Sequence, residues 1–245
     1  MSFLILAYLF FIGSVSGWIL EVFYRRYISS ANPERKWINP GACTGPYLPL
    51  YGCGLCILYL LVEEETEIFH IYTAWRSVLT IAVMAICMTV IEYIAGICTL
   101  KFAKVRLWDY SREWGNIQGV ICPKLSLVWM FICIFYYFRL HPYILQSAGW
   151  VKKHPYAYFG IGVFYGIFSV DAVKSAQLVG KLKKFAEENH IIIRYEAIKE
   201  EVRRRHDEAK TKYHFFFPFQ TGIPLSEHLR NLKDTFERIK EKEKK

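Results

Sequence analysis

Residues 1 to about 175 form a succession of apolar runs separated by short charged loops, and this pattern leaves few folds open. A helix of about 20 apolar residues, rising 1.5 Å per residue, matches the ~30 Å hydrocarbon core of a bilayer. Five runs reach or approach that length, at roughly 3–24, 47–62, 75–100, 119–138 and 156–173. Lipid offers no hydrogen-bond partner to an open backbone, so each run is expected to be helical. The expected class is all-α: a polytopic membrane protein with five transmembrane helices in 1–175 and a charged, helical cytoplasmic tail in 176–245. The second run is the shortest and carries Pro49, Gly52 and Gly54.

Basic residues set the orientation. The first loop has Arg25, Arg26, Arg35 and Lys36, and the third has Lys101, Lys104, Arg106 and Arg112. The second loop has Glu63, Glu64, Glu65 and Glu67 against Arg76. From Lys174 onward lie 18 of the 31 basic residues. An N-terminus outside and a C-terminus inside satisfy these loops. The first run has no basic segment before it and Arg25-Arg26 directly after it, which favours a retained helix over a cleaved signal.

Two carboxylates interrupt this apolar background. Each costs about 2.5–3.5 kcal/mol at the centre of a bilayer even on a lenient scale, so each is expected to face a partner, a cavity or a substrate. Glu21 shares a stripe with Gly13 and Gly17 and sits four residues before Arg25, within reach of an i,i+4 pair. Glu92 lies nine residues before Lys101, about 13 Å along the helix axis, too deep to reach water easily.

Their surroundings repeat. Glu21 is followed by a basic stretch and Asn39-Pro40-Gly41, and Glu92 by a basic stretch and Asn116-Ile117-Gln118-Gly119. The arrangement is that of two parallel two-helix repeats plus one further helix, and transporters often hold their sites between such repeats. Pro40, Pro46 and Pro49 prevent regular helix between Asn39 and Gly52, so that segment is expected to be a partly re-entrant loop or a broken helix start. Asp109 and Ser111 suit an interfacial turn, and Asp171 an ion pair with Lys174.

The remaining chemistry-bearing residues argue mostly by elimination. Cys53 and Cys56 have redox spacing but sit in an apolar helix, where small residues serve packing. His70 and His141 have no ligand partner at helix spacing. No catalytic constellation, metal site or cofactor is expected. No Gly-x-x-x-x-Gly-Lys-Ser/Thr loop occurs, so ATP hydrolysis would fall to a separate subunit. In the tail, Leu178, Leu182, Phe185 and Ala186 form one apolar stripe, and Leu225, Leu229, Leu232, Phe236 and Ile239 another. Between them lies an aromatic patch at 213–219, and Arg203-Arg204-Arg205 suits anionic lipid. Nucleic acid fits poorly, because the basic residues alternate with glutamates.

The motifs Gly17-Trp18-x-x-Glu21, Asn39-x-Gly41, Gly45-Pro46-Tyr47-x-Pro49-x-Tyr51-Gly52-x-Gly54, Glu92-Tyr93-x-x-Gly96, Trp108-Asp109-Tyr110-Ser111, Asn116-x-x-Gly119 and Ser126-x-x-Trp129 together resemble the CmpB family of ABC-transporter permeases. The resemblance covers about 8–135, more loosely the fifth helix, and not the tail. It implies the membrane half of a transporter in the bacterial cytoplasmic membrane, working with an ATPase subunit. The candidate substrate- or ion-binding set is Glu21, Glu92, Trp18, Asn39, Tyr51, Trp108, Asp109, Tyr110 and Asn116. Five helices are few for a pore, so a homo-oligomer in contact with membrane lipids is expected. The alternatives are a membrane enzyme acting on lipid or lipid-linked substrates, and a scaffold or regulator working through its tail.

Overall fold

The structure, a computed structural model, describes residues 3–29, 32–65, 73–189, 191–195, 197–201 and Glu227. The second tail stripe, the 213–219 aromatic patch, Arg203-Arg204-Arg205 and His70 lie outside the described residues.

Helix α1 (Phe3–Tyr27) is apolar around most of its circumference and ends in Arg25 and Arg26, which complement the negative end of its dipole. Helix α2 (Pro49–Glu63) begins where Pro49 can occupy the first turn without losing a needed donor. Its 15 residues rise about 22 Å, short of a full crossing. Helix α3 (Thr73–Ala103) comes next, then strand β1 (Val105–Arg106). Helix α4 (Pro123–Phe135) runs without a break through a π-helical segment, Tyr136–Leu140, into α5 (His141–Lys153). Helix α6 (Ala157–Glu188) leads to strand β2 (Ile193–Arg194), which pairs in parallel with β1.

Among the described residues, four helical stretches are long and apolar enough to cross a membrane: Phe3–Tyr27, Trp75–Ala103, Pro123–Lys153 and Ala157–Glu188. The expected second span corresponds to α2, which is apolar but too short to count with them. The expected fourth span ended near 138, whereas the helix continues to Lys153. Pro142 removes one backbone bond and would crowd the carbonyl four residues earlier, and the wider π turn sits just there. The same expected span began near 119, but helix starts only at Pro123; Ile117 and Ile121 form an isolated bridge instead. The fifth helix runs past the expected end at 173 to Glu188, so the 175/176 junction falls within continuous helix. The expected all-α class holds apart from the two-residue β pair.

Helix α1 packs along α2, α2 against α3, and α3 against α4. The first contact is backbone-close. A Cβ on Gly17 would come within 2.3 Å of Tyr51 Cβ, and one on Gly52 within 2.2 Å of Ser14 Oγ. Small residues let two helices approach this way where lipid gives no hydrophobic driving force between them.

Three apolar clusters hold the structure together. Ile5, Leu9, Tyr59, Ala148, Val151 and Ile161 join α1, α2, α5 and α6 at one end. Leu58, Met84, Met88, Trp129, Cys133 and Tyr136 fill the space between α2, α3 and α4. Val105, Leu182, Ala186, Ile193, Tyr195 and Ile198 form the third, which fastens the far end of α6 to the segment after α3. Leu178 and Phe185 pack on this cluster as well, so the first tail stripe faces the chain's own loops.

Candidate functional site

Glu92 lies on α3 and is 5% exposed. Its Oε2 accepts from Trp129 Nε1 of α4 at 2.8 Å, and its Oε1 from the Tyr110 hydroxyl at 3.2 Å. On α1, Glu21 Oε1 accepts from Arg25 Nε at 3.0 Å, the expected i,i+4 pair, and Oε2 accepts from the Tyr51 hydroxyl at 3.3 Å. The Tyr51 ring lies against that of Trp129, with centroids 5.6 Å apart. The two carboxylates are thus joined through Glu21–Tyr51–Trp129–Glu92–Tyr110 and lie within electrostatic reach of each other. Burial first, and then the Glu92 carboxylate beside it, push the Tyr110 phenol upward, so it stays a protonated donor.

Of the nine candidate residues, Glu21, Glu92, Tyr51 and Tyr110 come together here, with Trp129 as a fifth member. The other five organise the two loops. Trp18 Nε1 donates to Asn39 Oδ1 at 2.9 Å. Asn39 is buried, accepts from Gly41 N and donates to the carbonyls of Cys43 and Thr44 at 3.3 and 3.0 Å, folding the proline-containing segment into a compact turn. Asn116 does the same in the loop after α3: its Nδ2 donates to the carbonyls of Ser111 and Glu113, and its Oδ1 accepts from Gly119 N at 3.0 Å. Gly119 has φ +68°, and a Cβ there would come within 2.2 Å of an Arg106 guanidinium nitrogen, so the loop requires glycine twice over.

Trp108 Nε1 donates to Val120 O at 2.9 Å, while its ring lies over Gly96 of α3. Asp109 caps its turn through the Ser111 N–H and hydroxyl, as expected, and pairs with Arg106 at 2.9 Å and Arg194 at 2.7 Å. Burial works to raise its pKa, but the Ser111 hydrogen bonds and the two guanidinium groups together hold it below the usual carboxylate range.

Asp171 corrects an expectation. Its carboxylate does not pair with Lys174. It accepts instead from the backbone N–H groups of Thr44 and Gly45, both at 3.0 Å, and from the hydroxyls of Thr44 and Tyr47. One carboxylate on α6, 7% exposed, thereby holds the segment that leads into α2. Lys199 reaches the same segment, donating to the carbonyls of Asn39 at 3.0 Å and Gly41 at 2.8 Å, and Tyr195 donates to Ala42 O at 3.2 Å. No sequence spacing announces contacts across 127 or 160 residues.

His141 also has partners from other elements. Its Nδ1 lies 3.1 Å from the Tyr136 hydroxyl and its Nε2 3.5 Å from Glu63, which also accepts from Tyr59. Among the described residues, no group of three or more His, Cys, Asp or Glu side chains is arranged to hold a metal ion.

Residues 8–176, well over half of the chain, match the family described as "Putative ABC-transporter type IV", CmpB, and the chain belongs to that family. No curated protein and no solved structure matches it. Family and apolar helices together fit a multi-pass, transporter-like membrane subunit.

Proposed function

We propose that this CmpB-family chain is the membrane-spanning subunit of a transporter in the bacterial cytoplasmic membrane, with Glu21 and Glu92 forming its site for a proton, a cation or a cationic group of the substrate. The observation that carries this reading is the convergence of two carboxylates from different apolar helices onto one Tyr51–Trp129 bridge. Intramembrane acids placed between helices commonly mark ion and proton paths. Counting α2 together with the 39–48 segment that leads into it as the second crossing, and with the N-terminus outside, the first and third loops and the extension of α6 face the cytoplasm, where Asn39, Asn116, Trp18, Trp108 and Asp109 shape the rim of the site.

The sequence contains no phosphate-cradling loop, so coupling to ATP requires a separate ATPase subunit docking on that cytoplasmic face. Assembly of two or more copies completes the pathway. In support, Cβ atoms at Gly162 and Gly166, one turn apart on the same face of α6, would meet nothing within 4 Å, leaving that small-residue pair open to another helix.

The test uses the purified full chain and the variants Glu21→Gln and Glu92→Gln, which keep the side-chain shape. A ligand that binds only the folded state raises the melting temperature. Across alkali cations, ammonium and pH, the wild type is expected to show a specific shift that Glu92→Gln abolishes and Glu21→Gln weakens. Identical responses in all three proteins would reject the site. Copurification of an ATP-hydrolysing subunit with the tagged chain tests the partner.

A further inference from the structure

An open apolar groove of about 490 Å³ runs along α1, lined by Trp18, Ile19, Val22, Phe23 and Trp37. Four of these come from fewer than two turns of α1, and the fifth is brought back to it by the first loop. That return is built. Buried Asn32 donates to the carbonyls of Arg25 at 3.1 Å and Lys36 at 2.8 Å and accepts from Lys36 N at 3.3 Å. Arg35 adopts φ 52° to close the turn. Trp37 then lies edge-on to Phe23 and Tyr27, at 5.9 and 6.3 Å between centroids.

The rim of the groove is cationic. The Arg26 guanidinium lies over the Trp37 ring at 4.4 Å, and Arg26 and Arg35 donate to each other's backbone carbonyls. Arg25 is paired with Glu21 and Lys36 with Glu34, but neither Arg26 nor Arg35 pairs with a carboxylate among the described residues. The Arg26 Nε is also buried without a hydrogen-bond acceptor there. An apolar channel about 8 Å long on a helix that enters the bilayer therefore ends at two uncompensated guanidinium groups.

We propose that this groove is a binding site for one anionic phospholipid, with an acyl chain along Trp18, Ile19, Val22 and Phe23 and the phosphate on Arg26 and Arg35. Guanidinium groups match phosphate in geometry as well as charge. Charge also argues against a second copy as the occupant, because a self-complementary contact would bring the same arginines of two copies together. The site does not depend on the Glu21–Glu92 reading and survives its failure.

The experiment reconstitutes the full chain into nanodiscs containing phosphatidylglycerol or phosphatidylcholine brominated on the acyl chains, and follows tryptophan quenching. Brominated phosphatidylglycerol is expected to quench more at equal mole fraction, with the excess lost in Trp37→Phe. Each basic residue near a surface contributes about fivefold to the affinity for an anionic lipid, so Arg26→Gln and Arg35→Gln should each lower the preference by about that factor. Arg26→Lys, which keeps the charge but loses the planar fork, should fall between the wild type and Arg26→Gln. In the wild type the preference should fall as salt rises. Equal quenching by the two lipids, a salt-independent preference, unchanged preference in Arg26→Gln with Arg35→Gln, or a dimer that buries Phe23 and Trp37 would each overturn the proposal.

Discussion

At Asp171 a single carboxylate takes four donors from the segment between α1 and α2. Hydrogen bonds to a charged acceptor are worth about 1.5–3 kcal/mol each when one partner is removed, though not additively. Asp171→Asn replaces an accepting oxygen with a donor that faces donors. It is expected to lower stability by about 2–3 kcal/mol, read as a drop in the melting temperature of the detergent-solubilised chain. Asp171→Glu, whose longer side chain misplaces the charge, should fall between the two. Asp109, in the loop after α3, carries a pH-dependent contribution. Its folded-state pKa is depressed, so its contribution is complete above the unfolded value and disappears as pH falls through the folded one. Amide hydrogen exchange in 104–122, corrected for its intrinsic pH dependence, should therefore accelerate on acidification below the ordinary aspartate range, and Asp109→Asn should remove that response. The local pairings of Glu21 and Asp109 were legible in the sequence because Arg25 and Ser111 lie within four residues of them. Asp171 was not, because a helix-end acid three residues before a lysine looks like an i,i+3 pair whatever the tertiary structure does with it.

Among the elements, the close pair α1 and α2 decides how Tyr51 reaches Glu21. Gly17 lies against the first carbons of the Tyr51 side chain, atoms that cannot swing aside without moving α2. Gly17→Ala should therefore cost about 1–3 kcal/mol as overpacking and also displace the tyrosine from the carboxylate. The expected result is a lower melting temperature together with loss of any cation-dependent shift. A substitution that only destabilises would preserve that shift. The stripe of Gly13, Gly17 and Glu21 could be read directly, since four-residue spacing places residues on one helix face. The end of α4 could not. Pro142 reads as a stop signal, and only the π turn before it explains how the helix continues into α5.

For the whole molecule, the decisive connection is between the membrane helices and the C-terminal region. Composition separates a charged tail from the apolar helices, yet α6 crosses that boundary unbroken, and the chain beyond α6 returns to both loops that succeed the acidic helices. Strand β2 pairs with β1, Arg194 pairs with Asp109 in the loop after α3, and Tyr195 and Lys199 bind carbonyls in the loop after α1. The strap formed by 191–195 and 197–199 thus ties together the loops that shape the rim of the proposed site. Lys199 is the most informative place to cut it. Its buried ammonium sits over the Tyr195 ring at 4.7 Å and donates to two backbone carbonyls, so Lys199→Met keeps most of the packing and removes the donor. The expected outcome is faster hydrogen exchange across 39–48, where Asn39, Asp171 and Lys199 share the load, with little change in the α2–α3–α4 cluster around Met84 and Trp129. Exchange confined to the mutated segment would mean that the strap rests on the loops without ordering them. Spread into 39–48 would make the C-terminal region part of the proposed site's support, and would give a partner bound there a lever on the segment that leads into α2 and on to Tyr51.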